Sequence, residues 1–176
     1  VIFLSRISKE KNLPYALNLL KKITIPLEFH IYGPVEDAII WKECMIIMEQ
    51  MPKNVIVIYK GSIEHKYVKS YFSKYDIFLF PTRLENFGHV ISESLSVGTP
   101  VLISNNTPWL NLLQKKLGWD FDLNRDNDFI KVLNSYLDKT DKYKSKLRKE
   151  VTQAYANSLN KKSIIKENID LFKYEK

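Results

Sequence analysis

The chain has 176 residues, 45% hydrophobic and 27% charged, which suits one folded domain with its own core and excludes a disordered or fibrous polymer. Its 27 Lys and Arg against 20 Asp and Glu give a formal net charge of +7, and its single cysteine, Cys44, excludes an internal disulfide and fits a reducing compartment. No stretch reads as a transmembrane span or a signal peptide, and the lysines are spread rather than gathered into the aromatic-basic stripe of an RNA binder.

In chain order, strands and helices alternate. Residues 1–5 form an apolar strand, and because Val1 already lies inside it the natural chain is expected to begin further upstream. Leu13, Leu17, Leu20 and Ile23 mark the next helix. A second strand at 27–32 ends at Gly33 and Pro34. The helix over 35–51 carries Cys44, and the third strand, 55–59, ends near Gly61. A helix over 65–74 leads to a fourth strand at 77–80, closed by Pro81, and 101–104 is the fifth. A short helix is expected over 107–116 and a weak sixth strand over 118–123. Helices over 129–137, 142–158 and 164–174 complete the chain. Lys139, Lys142, Lys144, Lys146 and Lys149, interleaved with Asp138, Asp141 and Glu150, read as a solvated helix face. Strict alternation predicts an α/β fold: a Rossmann-like, doubly wound parallel sheet of about six strands flanked by helices, with a helical C-terminus.

The stretch 76–104 concentrates the chemistry. After the fourth strand, Val90, Ile91, Leu95 and Val97 recur at helical spacing, with Gly98 and Pro100 as the stop. Gly88 therefore stands where a helix N-terminus, with free N–H groups and the positive dipole end, faces the loop 82–87, a corner that favours an anion. At 100° per residue Glu93 falls about 40° from Val97 and about 60° from Val90, on the margin of the packed face, where a carboxylate needs a partner.

The usual strand order of such sheets, 3-2-1-4-5-6, makes the first and fourth strands neighbours, with ligands bound at their carboxyl ends. The loop 5–12, carrying Arg6 and Lys11, should then face Gly88, so that two cations and a helix dipole converge. Both side chains are expected to be exposed in an empty cleft.

Glu85, Asn86, Phe87 and Gly88 through Glu93, then Gly98, Thr99, Pro100 and Val101, resemble the E-x7-E signature of the retaining glycosyltransferases of family 4, whose fold is GT-B. The run PTRLENFGHVISESLSVGTPVLIS follows that family's pattern nearly without a gap, and the resemblance covers the whole chain. It implies that 1–176 is a single Rossmann-like donor-binding domain, the C-terminal half of a GT-B enzyme whose N-terminal acceptor domain is absent from this chain. It implies a catalytic group of Arg6 and Lys11 on the donor diphosphate and Glu85 on the donor sugar. Donor binding falls to Asn86, Phe87, Gly88, His89 and Val90 around the helix start, to Glu93 on the ribose, and to Ile63 on the nucleobase through its backbone. Ser5 and Asn12 stand where many relatives have glycine.

The activity so implied is transfer of a sugar from a nucleoside diphosphate, a UDP-sugar as first guess, to a glycan or lipid-linked acceptor. It needs no metal and no cofactor. The partners are the donor, the acceptor and the missing domain, with no specific nucleic acid. The implied location is the cytoplasm, with peripheral attachment to the inner face of the membrane left open for the full-length enzyme. The alternatives are a non-catalytic nucleotide or phosphosugar-binding module and a basic nucleic-acid-binding α/β domain; a sugar-nucleotide epimerase of the same fold fits the motif less well. Asp120 with Asp122, and Asp126 with Asp128, spell D-x-D, a metal motif of the other large glycosyltransferase fold, but neither pair falls at the switch point. Asp126 and Asp128 are expected to cap the helix starting near Phe129. His30, His65 and His89 have no ligand spacing, and only His89 falls near the candidate site.

Overall fold

The structure is a computed structural model and describes residues 1–159. The strands are β1 (Ile2–Leu4), β2 (Leu27–Tyr32), β3 (Val55–Tyr59), β4 (Phe78–Phe80), β5 (Val101–Ser104) and β6 (Gly118–Phe121). They form one parallel sheet in the order β3-β2-β1-β4-β5-β6, with Ile2 of β1 opposite both His30 of β2 and Phe78 of β4. The helices are α1 (Leu13–Leu20), α2 (Ala38–Glu49), α3 (Val68–Phe72) after a 3-10 turn at His65–Tyr67, α4 (His89–Ser96), α5 (Asp126–Leu137) and α6 (Asp141–Leu159). α1 packs on α2 and α5; α4 packs on α3 and α6. Among the described residues no helix is long and apolar enough to cross a membrane.

The central strands read as continuous apolar runs because helices cover both of their faces. β4 and β5 are wholly buried, and the Phe78 and Phe80 rings stack at 5.3 Å between centroids. Each such buried ring contributes roughly 1.5–3 kcal/mol relative to exposure. At the sheet edge, β3 leaves Ile56 exposed.

Three expectations need correction. No helix forms over 107–116; the segment is a series of turns in which Asn111 and Lys116 adopt positive φ, and Asp120 fixes it by accepting the N–H groups of Asn111 (3.0 Å) and Leu112 (2.7 Å). The apolar residues of that segment imitate a helix period, but local side-chain bonding wins over it. α5 starts at Asp126, three residues earlier than expected, so Asp126 and Asp128 lie in its first turn and not at its cap. Asp126 accepts from the Tyr15 hydroxyl at 2.7 Å and pairs with Lys22 at 3.1 Å. The 65–74 helix divides into the 3-10 turn and the short α3. The helix expected over 164–174 lies outside the described residues.

Gly33 ends β2 at φ +135°, and a Cβ there would sit 1.8 Å from the Ser5 carbonyl oxygen. Only glycine lets the ends of β1 and β2 approach this closely, which fixes where the chain leaves β1 toward the site.

Candidate functional site

The loops after β1 and β4 meet at the carboxyl edge of the sheet, as adjacency of their strands requires. Besides the bond between Lys11 and Glu85, four bonds stitch them together. The Thr82 hydroxyl and the Arg83 N–H both donate to the Glu10 carbonyl, at 2.8 and 2.7 Å. Asn12 donates its amide to the Pro81 carbonyl at 2.9 Å and accepts from Arg83 Nε at 3.1 Å. Asn12 is buried and caps α1 at φ +59°, a left-handed conformation that asparagine tolerates better than most residues. Where glycine would give only the conformation, asparagine also ties down the neighbouring loop.

Lys11 Nζ lies 2.9 Å from Glu85 Oε2 and 5.6 Å from the centre of the Phe80 ring. The other oxygen, Oε1, accepts the N–H groups of Phe87 (3.2 Å) and Gly88 (3.0 Å). Burial alone would push the Glu85 carboxyl up, but Lys11 and the Gly88 and Phe87 N–H groups overrule it and hold the carboxyl below the usual carboxylate value. Lys11 and Glu85 side chains are only 12% and 17% exposed, which corrects the expectation that Lys11 is exposed.

Two of the N–H groups expected to face an anion are therefore already engaged by Glu85. Ile91 and Ser92 donate to the Gly88 carbonyl. That leaves the N–H groups of His89 and Val90, the first two residues of α4, without an intrahelical acceptor and at the positive end of the helix dipole. Gly88 takes φ +71°, and a Cβ on it would lie 2.6 Å from Trp109 Nε1, which donates to the Phe87 carbonyl at 3.0 Å. The loop after β5 thus braces the turn from behind, and Glu85 N–H donates to Asn106 there at 3.1 Å.

Arg6 is exposed, as expected, but its Nη1 pairs with Glu36 Oε1 at 2.7 Å, a residue of the loop after β2. Glu93 is 15% exposed and meets His65 Nε2 at 2.8 Å. Asn86 is exposed, Val90 is half-buried, and the His89 ring stacks on Phe87 at 5.8 Å. Ile63 is half-buried against the core just before the 3-10 turn. His30 lies in β2 with its Nδ1 2.7 Å from the Tyr75 hydroxyl. Lys11, Glu85, Phe87 and Gly88 form one bonded group; Arg6 and Glu93 each hold a partner of their own.

Sequence reasoning missed Glu36, His65, Trp109 and Arg83. A signal existed only for Asn12, as a residue tolerant of positive φ where a loop enters a helix. The other contacts join loops far apart in sequence.

The family described as glycosyl transferases group 1 matches residues 1–155. The chain belongs to that family. A curated relative from Klebsiella pneumoniae, an uncharacterized 41.2 kDa protein in the cps region, is 24% identical over 98% of this chain. The chain spans 46% of that relative, about half its length. Solved structures share the fold. The catalytic domain of cholesterol-alpha-glucosyltransferase from Helicobacter pylori superposes with a TM-score of 0.71 at 15% identity, covering 89% of this chain and 97% of its own. Anabaena HepE in complex with UDP and glucose gives 0.70 at 16% identity, over 88% and 42%. A TarM mutant from S. aureus, in complex with Fondaparinux, alpha-GlcNAc-glycerol and UDP, gives 0.72 at 16%, over 97% and 35%. As a group 1 glycosyltransferase domain the chain has the Rossmann-like architecture of the C-terminal half of the GT-B fold.

Proposed function

We propose that residues 1–176 are the donor-binding domain of a retaining, metal-independent group 1 glycosyltransferase that moves a sugar from a nucleoside diphosphate to a glycan or lipid-linked acceptor held by a separate N-terminal domain. The observation that carries this reading is the convergence, across the β1–β4 switch point, of Lys11 on the turn that opens α4. Ligands of open α/β sheets bind at such a crevice.

The leaving diphosphate gains negative charge as the bond to the sugar breaks. Lys11, Arg6 and the N–H groups of His89 and Val90 stabilise that charge, an electrostatic assistance that depends on donors already in place. Arg6 forks phosphate oxygens once it leaves Glu36, and Lys11 acts as a point charge. Glu85 serves the donor sugar: its oxygens already accept three bonds, which leaves about one of a carboxylate's four lone-pair sites for a sugar hydroxyl. This engagement argues for a holding role over a nucleophilic one, and a same-face internal return of the acceptor needs no protein nucleophile. Glu93 reads the ribose, four residues and about 6 Å along α4 from its first N–H. The choice of uridine rests on the UDP in two of the structural neighbours.

Calorimetry of the chain with UDP, GDP and UDP-glucose tests the reading. Weak diphosphate binding, unchanged by chelator and without sugar transfer, is expected, since no acceptor is held nearby. Sustained transfer by this polypeptide alone sinks the two-domain assignment. A chelator-dependent loss of binding sinks metal independence, and salt-sensitive RNA binding in place of UDP binding sinks the donor assignment.

A further inference from the structure

Glu93 and His65 differ sharply in setting: the carboxylate side chain is 15% exposed and the imidazole 88%, with 2.8 Å between Oε1 and Nε2. A carboxylate largely withdrawn from water is costly without donors. The imidazole lies against it while standing almost wholly in solvent, on a 3-10 turn of only three residues. Such a contact holds the carboxylate in the empty protein yet is weak enough to give up, because pairs with an exposed member are worth little. The turn begins two residues after Ile63, so the imidazole stands between the segment assigned to the nucleobase and the carboxylate assigned to the ribose.

We propose that His65 is the resident counter-ion of Glu93 and competes with the ribose for it, so that nucleotide binding displaces the imidazole and weakens when His65 is protonated. The proposal rests on Glu93 as the ribose carboxylate. A ribose brings two hydroxyl donors to the carboxylate, and a hydroxyl that takes the Oε1 lone pair facing the imidazole excludes it. Protonated His65 is held to Glu93 by charge as well as contact; neutral His65 is held by contact alone. Charge on His65 therefore opposes binding, and affinity is lower in acid than in base.

Other charged groups flank the pair. On the same turn Glu64 and Lys66 pair with each other at 2.7 Å. α3, packed on this turn, contributes Lys69, and α4 contributes Glu93 and His89, whose ring stacks on Phe87. Lys69 and His89 are common to every protein compared below.

The test is calorimetric titration of the 176-residue chain with UDP-glucose, whose diphosphate diester does not titrate here, at about pH 8 and about pH 5.5. His65→Gln and His65→Ala are both compared with the unsubstituted chain. All three should bind alike at the higher pH. At the lower pH the unsubstituted chain should bind about two- to fivefold more weakly than either variant, the scale of an exposed pair. In a Glu93→Gln background that difference should vanish. Parallel pH profiles overturn the proposal, and so does weaker binding by both variants at both pH values, which would make His65 a donor contact. The ribose reading fails separately, if Glu93→Gln weakens UDP and its 2′,3′-dideoxy analogue equally.

Discussion

Lys11 and Glu85 are 74 residues apart in sequence, yet Nζ and Oε2 stand 2.9 Å apart in a setting that is mostly closed to water. The same carboxylate closes the turn into α4 through the N–H groups of Phe87 and Gly88. Lys11 thus supports the turn whose dipole it reinforces.

Lys11→Ala should cost folding stability as well as nucleotide affinity. Removing the ammonium leaves a poorly hydrated carboxylate with only its backbone donors, a loss of about 1–3 kcal/mol for a charged hydrogen bond. Arg6→Ala, removing a pair whose members are both about half exposed, should change stability by less than about 0.5 kcal/mol. Urea unfolding of both variants checks the contrast, and equal stabilities would mean that the Lys11–Glu85 pair is energetically idle.

Asn12 separates conformation from bonding. Asn12→Gly keeps the positive φ at no steric cost but strips the buried Pro81 carbonyl of its donor, for about 1–3 kcal/mol. Asn12→Ala loses the same bond and adds the left-handed penalty of about 1–2 kcal/mol, so alanine should be the less stable of the two. The reverse ranking in chemical denaturation would show that the unfolded-state freedom that glycine adds outweighs the left-handed penalty at this position.

Gly88→Ala should damage both fold and site. The added methyl meets Trp109 Nε1 at 2.6 Å and Ile91 Cδ1 at 3.0 Å on a backbone already at φ +71°. A loss of at least about 2 kcal/mol is expected. The indole N–H resonance of Trp109, one of three in the chain, should move as its bond to the Phe87 carbonyl breaks. An unmoved indole signal with intact stability would contradict the bracing role given to Trp109.

Cys44 should be silent in the native protein. It is fully buried in α2, and burial, helped by nearby Glu43, pushes its thiol up to about 12, so almost no thiolate is present at neutral pH. Reaction with a disulfide reagent should appear only along the urea transition. Fast labelling without denaturant would reveal local opening of α2.

The sequence by itself determined the strand order and the place of the candidate site. β4 and β5 had to be interior strands because they are apolar up to the terminal Ser104, and alternation with helices left the doubly wound parallel sheet as the economical arrangement. That order alone set the loop carrying Lys11 against the loop carrying Glu85. The withdrawal of Glu93 from water was also legible, as the phase of a helix with one packed face. Tertiary structure decided which charge meets which. Glu36 on Arg6, His65 on Glu93 and Trp109 behind Gly88 join loops whose paths follow from sheet spacing and turn conformation, and side chains on such loops have no periodicity to betray them. The segment 107–116 went wrong for the same reason: its local pattern favours a helix, and a carboxylate from β6, Asp120, takes the backbone N–H groups of Asn111 and Leu112 once the chain has folded.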